Sequence, residues 1–373
     1  MNSKRSANIE LLRIISMILI VLHHICAHGE IEFAFPSMNA IIRQMFYTSG
    51  GGTGNNLFIL IAGYFSASSS KLSLNKICKL VLLVVFYSVF LYILSCAFGA
   101  TDFSIKGLLI STIPFISNGY WFVNCYLLVY ICSPLLVQSI NRVSKQNIQL
   151  IICVLFVVFY FFQQILSQFI HINDFGYTKL AWMFFVYIVG AYIRIYNVKI
   201  QNRLYVFLWL CAAVLVLFTV SILSVYGVDD GSTVGIVLRR TVTLLTNKGV
   251  NGTMNILLSI ILFLIFCDCT VDSKCIVSIA SITFPVYLFH DNVVFRQYLW
   301  TNIFHTSEWW DKSLFVVYLF ATTIVIFIVT YLIEFIRTRL IDKLIYQSKI
   351  YNSLITRLED WLEGRNCNKV TGT

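Results

Sequence analysis

Charged residues are scarce in this chain. Lys, Arg, Asp and Glu make up 12% of its 373 residues, about half of the 25% or so that is usual in soluble domains. Only four residues are proline, which argues against Pro-rich linkers between separate domains. Apolar residues account for 58% of the chain, and the mean hydropathy is +0.81. Together these values exclude a soluble protein and predict a single polytopic membrane unit.

Nucleic-acid motifs are absent, although the net charge is +10. The basic excess is explained better by loops that set membrane orientation, so we expect no nucleic-acid partner. The eleven cysteines lie mostly inside apolar runs, where the thiol acts as a small hydrophobic group. Cys267, Cys269 and Cys275 cluster, but they lack the paired spacing of a zinc site, so no metal is predicted.

Hydropathy predicts an all-α protein with about ten transmembrane helices. The predicted spans are 9–28, 42–66, 77–98, 119–140, 148–170, 178–196, 204–226, 251–268, 276–300 and 313–336. With the amino terminus in the cytoplasm, 18 of the 27 Lys and Arg residues fall on the cytoplasmic side and eight on the outer side. This bias predicts that both termini are cytoplasmic. Residues 103–117 form either an interfacial helix or part of the fourth span.

The predicted spans divide the chain into two segments. Residues 1–343 form one transmembrane domain, and residues 344–373 form a cytoplasmic tail. Within the tail, apolar residues recur at helical spacing between Leu344 and Leu362, while Lys349 and Arg357 lie off that stripe. This pattern predicts an amphipathic helix at the membrane surface.

The first span contains ionisable residues in an otherwise apolar run. Such residues cost several kcal/mol in a bilayer unless they face a polar interior, and they are functional candidates by default. Arg13 and His24 are eleven residues apart, so they share one helix face about 16 Å apart along the axis. Glu10, three residues before Arg13, is its natural partner. A polar stripe is therefore predicted along this helix.

His24 is the candidate for proton transfer, because imidazole can accept or donate a proton near neutral pH. His23, ten residues after Arg13, points about 80° away from the Arg13 direction and is expected to be structural. His24 and His28 are four residues apart and could share a metal ion, but no third ligand follows at a suitable spacing. We therefore predict no metal here.

Three further segments carry polar groups into apolar surroundings. In residues 118–126, Tyr120 and Trp121 fit an outer aromatic belt, whereas Asn124 and Tyr126 lie deeper. Residues 281–292 place Thr283, Tyr287 and His290 on one helix face, with Pro285 as the site of a kink. Residues 50–65 open with Gly-Gly-Gly-Thr-Gly, which allows close approach of a neighbouring helix or a ligand.

Taken together and in this order, the four segments resemble the acyltransferase-3 family of bacterial integral membrane O-acyltransferases. The Arg13-to-His24 spacing is similar to the signature of that family's first helix, an Arg and a His separated by ten residues. Residues 50–65 resemble its Gly-rich stretch, with Ala62 where many members carry Ser. The run YWFVNCYLLVYICSPLL at 120–136 resembles members encoded near polysaccharide-synthesis genes, and TFPVYLFHDN at 283–292 resembles a late Tyr-Leu-x-His segment.

The resemblance covers roughly residues 5 to 336 and implies an O-acetyltransferase of the bacterial cytoplasmic (inner) membrane. It implies acetyl-CoA or another acyl-CoA as the donor substrate, with no permanently bound cofactor. The implied acceptor is a hydroxyl of a cell-envelope glycan or of its lipid-linked precursor. The acyltransferase domain would be residues 1–343.

It also implies roles for individual residues. The catalytic residues would be His24 and Arg13, with His24 acting either as a general base or as the carrier of a covalent acyl group; the sequence leaves both mechanisms open. The positions of other residues fit such a reaction. Arg13 and the loop lysines Lys71, Lys76 and Lys79 offer cytoplasmic cations for CoA phosphates and are the predicted donor-binding residues. The fourth and ninth spans bring polar and aromatic groups toward the outer side with His24, so the acceptor is predicted to bind at this outer mouth, against Trp121, Asn124, Tyr126, Tyr287 and His290.

A multi-helix transporter or exporter of a small or glycan-type solute is the competing interpretation, because transporters also carry intramembrane charges around a central cavity. It gives no particular reason for a histidine at this depth together with a basic loop that could bind a donor. A third class is a structural scaffold for a glycan-synthesis complex. Transfer from labelled acetyl-CoA separates the enzyme from both alternatives.

Overall fold

The computed structural model describes residues 7–33, 35–67, 72–116, 119–170, 177–227 and 232–362. The chain is 80% helical, and these ranges contain no β-strand. The α-helices are α1 (Ala7–His28), α2 (Met38–Ser66), α3 (Leu74–Ala97), α4 (Ile105–Ser111), α5 (Trp121–Arg142), α6 (Lys145–Phe156), α7 (Lys179–Ile195), α8 (Arg203–Tyr226), α9 (Thr233–Leu245), α10 (Thr253–Asp268), α11 (Lys274–Ala280), α12 (Thr283–His290), α13 (Arg296–Tyr298), α14 (Phe315–Arg337), α15 (Lys343–Tyr346) and α16 (Lys349–Leu362).

Short segments of other helix types extend several of these. Two π-helical segments, Val157–Ile165 and Thr338–Asp342, continue α6 and α14, and a third, Leu299–Ile303, follows α13. Leu166–Gln168 and Thr306–Glu308 are 3₁₀ turns. With its π-helical segment and the 3₁₀ turn, α6 makes one helical segment of 24 residues; with its π-helical segment and α15, α14 makes one of 32.

The predicted all-α membrane fold is confirmed. Helical segments that are long and apolar enough to cross a bilayer are Ala7–His28, Leu74–Ala97, Trp121–Arg142, Lys145–Gln168, Arg203–Tyr226 and Phe315–Tyr346. Thr253–Asp268 and Lys274–His290 are shorter apolar helical segments. A helix is present in every one of the ten predicted spans, whereas the number of membrane crossings and the side of the termini remain predictions.

The ninth predicted span, 276–300, is not one continuous helix. The chain turns at residues 281–282 between α11 and α12, and it leaves the helix again after His290. Pro285 is the third residue of α12, and a first-turn proline needs no partner for its missing N–H. The first break therefore comes before the proline rather than at it. The second break makes His290 the last residue of α12.

Two short helices were not resolved by the hydropathy pattern. Residues 103–117 contain α4 as a separate helix, which Tyr92 holds through two hydrogen bonds to the Ser104 backbone, at 2.9 and 2.8 Å. Helix α9 lies between the predicted spans 204–226 and 251–268, where the hydropathy pattern predicted no helix. Its 13 residues are too few to cross a bilayer, and Arg239 and Arg240 interrupt its apolar pattern.

Helix α2 packs closely against α1 through its glycines. A Cβ added at Gly50 would lie 2.5 Å from the Leu19 carbonyl oxygen, and one at Gly54 would lie 2.6 Å from that of Ser16. This four-residue spacing of small residues is a common device for close helix contact in membranes. The Gly-rich segment therefore has a structural role, since it presses α2 against the α1 face next to His23 and His24.

Side-chain amides connect α2 to α7 and α10. Asn56 donates to the Val250 carbonyl oxygen at 2.8 Å and accepts from the Trp182 indole N–H at 3.0 Å. The Thr53 hydroxyl donates to Asn255 at 3.2 Å. These buried groups have partners, which removes the cost of placing them in an apolar bundle. They hold α2 in the centre of the fold.

The tail contains the predicted helix, here α16, and it docks on the protein. The Tyr351 hydroxyl donates to Asn75 on α3 at 2.9 Å, and Ile355 is buried. One apolar side of the tail therefore contacts α3. Its membrane contact and its cytoplasmic location remain predictions.

Candidate active site

Two histidines from distant parts of the sequence meet inside the bundle. His24 is on α1, and His290 is the last residue of α12. The His24 Nδ1 atom lies 2.9 Å from His290 Nε2, and the two ring centroids are 5.0 Å apart. His290 is fully buried. The end of α12 thus delivers one imidazole directly onto the other.

The hydrogen bonds determine which nitrogen of His24 is available for chemistry. His290 Nδ1 lies 2.6 Å from the Val286 carbonyl oxygen, which can only accept, so Nδ1 carries the hydrogen. When both rings are neutral, His290 Nε2 then accepts the hydrogen bond from His24 Nδ1. The lone pair of His24 is thereby confined to Nε2. The arrangement produces a base whose free nitrogen points away from His290.

The free nitrogen faces a carboxylate. His24 Nε2 lies 3.9 Å from Asp291 Oδ1, and Arg296 donates to the same oxygen at 3.2 Å. The side chain of Asp291 is 6% exposed, so its charge acts on nearby groups with little screening by water. A carboxylate here stabilises the imidazolium that forms when His24 accepts a proton.

The turn that carries Asp291 is held by the start of α5. The Tyr120 hydroxyl donates to the Leu288 carbonyl oxygen at 2.9 Å and accepts from the Asn292 amide at 2.8 Å. Tyr120 is only 2% exposed, so its assignment to an outer aromatic belt is wrong. The polar hydroxyl is needed inside, because it joins α5 to the end of α12.

One group of side chains could hold a metal ion. His24, His28 and Asp291 each offer a ligand atom, and these atoms all lie within 4.8 Å of one another. The sequence argument against a metal assumed that a third ligand was missing, and Asp291 supplies one from another helix. Arg296 competes with a cation for that carboxylate. The absence of a metal remains a prediction.

Near the other end of α1, two cavities share Arg13 as a lining residue. Their volumes are about 510 and 350 Å³, and both are also lined by Ala62 and Tyr126. Lys79 lines the larger cavity and Lys76 the smaller one. Arg13 makes bonds of 2.8 and 2.9 Å to Glu10, the predicted partner. We refer to the two together as the inner cavity.

Acidic groups also line the inner cavity. Glu334 accepts from Tyr87 at 2.9 Å and from Arg337 at 2.8 and 2.9 Å, and Arg337 also bonds Asp342. These carboxylates are therefore paired with a guanidinium or a hydroxyl. The charges at this end comprise this network, the Arg13–Glu10 pair and the cations of Lys76 and Lys79.

Aromatic side chains lie between the inner cavity and the two histidines. Phe58 and Phe122 line the cavity, and Phe122 packs against Tyr287 with centroids 5.7 Å apart. The Tyr287 ring in turn lies 6.1 Å from that of His290. A path from the cavity to His24 therefore passes Phe58, Phe122 and Tyr287, which we call the aromatic layer.

The structure groups the predicted residues differently from the sequence. His290 and Tyr287 lie with His24, while Tyr126 lines the inner cavity with Arg13, so an acceptor role at the outer mouth does not fit its position. The Lys179 ammonium lies 4.3 Å from the ring centroid of Trp121, and Asn124 donates to the Phe115 carbonyl oxygen at 2.9 Å. Neither residue has a described contact with His24. Lys71 lies outside the described residues.

Several residues near these sites were not among the candidates. Asp291, Arg296 and Tyr120 surround the histidine pair, and Glu334 and Arg337 line the inner cavity. Asp291 follows His290 directly at the edge of an apolar run, and that placement could have marked it. Tyr120 could not be found by spacing, because its partners Leu288 and Asn292 lie 168 and 172 residues away. Arg337 and Arg296 lie only three and five residues from their partners Glu334 and Asp291, but the cavity and the histidine that these pairs adjoin are formed by other helices.

The fold and these sites define a multi-pass membrane protein with a histidine pair beside a buried carboxylate at one level and a polar cavity at another. The acyltransferase domain family model, acyltransferase 3, matches residues 6–335. The chain therefore belongs to the acyltransferase-3 family and is a membrane acyltransferase. No curated protein and no solved structure matches it.

Proposed function

We propose that this protein moves an acetyl group from cytoplasmic acetyl-CoA to a hydroxyl of a cell-envelope glycan or of its lipid-linked precursor, in the bacterial inner membrane. The hydrogen bond between His24 and His290 is the observation that carries this proposal. It leaves His24 Nε2 free beside Asp291, and it does so on the helix whose other end contributes Arg13 to the inner cavity.

In the proposed reaction, the oxygen of the acceptor hydroxyl attacks the thioester carbonyl while His24 Nε2 takes the proton of that hydroxyl. The new C–O bond forms, the C–S bond breaks, and the leaving thiolate takes the proton from His24. Asp291 stabilises the intervening imidazolium. In the covalent alternative His24 itself attacks the thioester, and a burst of CoA release without acceptor is the kinetic sign of that route.

The donor is proposed to enter through the inner cavity. Arg13, Lys76 and Lys79 supply cations for CoA phosphates there. About 16 Å of helix separates Arg13 from His24. The thin pantetheine arm of CoA would span this distance, while the nucleotide stays in the inner cavity. For the thioester to reach His24, the side chains of the aromatic layer have to turn aside.

Purified protein in detergent tests the activity directly. With [¹⁴C]acetyl-CoA and a glycan acceptor, we expect label in the acceptor; without acceptor, we expect thioester hydrolysis above the rate of a protein-free control. Solute uptake by proteoliposomes with neither reaction would identify a transporter and contradict the proposal. Comparing glycan acetylation between wild-type and deletion strains identifies the acceptor.

Removing the donor cations tests the inner cavity. The double variant Lys76→Gln/Lys79→Gln is expected to raise KM for acetyl-CoA about tenfold and to change kcat little, which is the pattern of lost uniform binding. Arg13→Gln should act in the same direction. Lys274→Gln is the matched control, since Lys274 is exposed and does not line the inner cavity. An unchanged KM in both test variants would exclude a donor site here.

A further inference from the structure

A cluster of cations lies next to the histidines and away from the inner cavity. Arg43 on α2 and Lys248 in the loop before α10 converge on one ring, that of Tyr47. The Arg43 Cζ atom and the Lys248 Nζ atom each lie 4.5 Å from the ring centroid. Lys248 also donates to the Tyr47 hydroxyl. We call these three residues the Tyr47 cluster.

The Tyr47 cluster connects to His24 through one histidine. His23 Nδ1 lies 2.9 Å from the Tyr47 carbonyl oxygen, and the two rings stack with centroids 5.8 Å apart. The rings of His23 and His24 are 5.3 Å apart. A group held by the cluster therefore lies one side chain away from the proposed base.

Among the described residues, no carboxylate pairs with the cations of this cluster: neither Arg43 nor Lys248 forms a salt bridge there. The carboxylates of Asp291 and Glu30 have partners of their own, Arg296 and Gln297. The field of the two cations is therefore positive and favours an anion.

One donor atom in the cluster is also unused. The Nε atom of Arg43 is buried, and it has no hydrogen-bond partner among the residues that the structure describes. Leaving a buried charged donor unsatisfied is costly, and two cations around one ring repel each other. A phosphate or carboxylate between Arg43 and Lys248 would remove both costs with charge-assisted hydrogen bonds.

We infer that the Tyr47 cluster binds an anionic group of the acceptor, a phosphate or carboxylate next to the sugar that receives the acyl group. The inference rests on the proposed function and narrows its acceptor to an anionic glycan or a phosphate-linked glycan. Such a contact orients the sugar, because the anion is held on one side of His23 while the reacting hydroxyl meets His24 on the other. A lipid phosphate offers the same chemistry, so the experiment must separate the two sources.

The test uses two matched acceptors with full-length protein in neutral-lipid nanodiscs. Both carry the same trisaccharide on a short prenyl chain, one through a diphosphate and the other through an uncharged ether. We expect wild-type protein to show a KM at least about tenfold lower for the diphosphate acceptor. Arg43→Gln/Lys248→Gln should remove that preference by raising KM for the diphosphate acceptor alone. Thioester hydrolysis without acceptor should stay within about twofold of wild type, which also reports that the variant is folded.

Arg239→Gln/Arg240→Gln is the matched control, since it removes the same charge from α9 and should keep the preference. Equal KM values for the two acceptors in wild-type protein would overturn the inference. So would a preference that survives in Arg43→Gln/Lys248→Gln. A third contradicting result is a variant defect that appears only when anionic phosphatidylglycerol replaces the neutral lipid, which would assign the cluster to lipid headgroups. If neither acceptor is acetylated and no thioester is hydrolysed by wild-type protein, the proposed function itself fails.

Discussion

Replacing His24 with alanine is expected to lower acetyl transfer by roughly 10²–10⁴-fold, the contribution typical of a positioned general base. The reason is the hydrogen bond to His290, which confines the lone pair of His24 to the nitrogen facing Asp291. The measurement is the initial rate of label transfer from [¹⁴C]acetyl-CoA, normalised to purified protein. Elution as a single species in detergent confirms that the variant folds.

His23→Ala is the internal control for this result. His23 and His24 are adjacent on α1 but point in different directions. His23 bonds the Tyr47 backbone and packs against α2, whereas His24 bonds His290. We expect its loss of transfer to be much smaller than that of His24→Ala. If His24→Ala keeps more than about a tenth of the wild-type rate, the proton-accepting group lies elsewhere.

The second large effect is expected at His290. His290→Ala removes the acceptor for the His24 Nδ1 hydrogen, so His24 loses both its orientation and its tautomer. A misplacement of this kind costs on the order of 10²-fold in kcat, while KM for acetyl-CoA should stay unchanged because the inner cavity is untouched. Steady-state kinetics in both substrates measure the two values separately.

His290→Gln distinguishes positioning from packing. The glutamine side-chain oxygen can accept from His24 Nδ1, so it should restore a substantial part of the lost kcat. His305→Gln, at an exposed histidine, serves as the control and should leave kinetics near wild type. Equal loss in His290→Ala and His290→Gln would show that the ring packs the site and does not orient His24.

Much of the α1 face could be predicted from sequence alone. Helical geometry places Arg13, His24 and Glu10 relative to one another with no knowledge of other helices, and the bond between Arg13 and Glu10 is as predicted. Hydropathy likewise located a helix in each predicted span. Both signals are local, which is why single-sequence reasoning detects them.

Contacts between distant helices were not predictable in this way. His24 and His290 are 266 residues apart, and their hydrogen bond depends on where α12 ends. Tyr126 is a second case: its place along the fourth predicted span indicated its depth, but only the packing of α5 showed that it faces the inner cavity. The contact between Asp291 and His24 was not predictable either, because it depends on the break in the ninth predicted span after His290.

In the proposed reaction, the acyl group passes at His24 from a cytoplasmic donor to an outer acceptor. Proteoliposomes of uniform orientation test this route, with impermeant [¹⁴C]acetyl-CoA confined to the face that carries the inner cavity and a glycan acceptor confined to the opposite face. We expect labelled acceptor with wild-type protein and almost none with His24→Ala. Labelling that occurs only when donor and acceptor share one compartment would contradict this route.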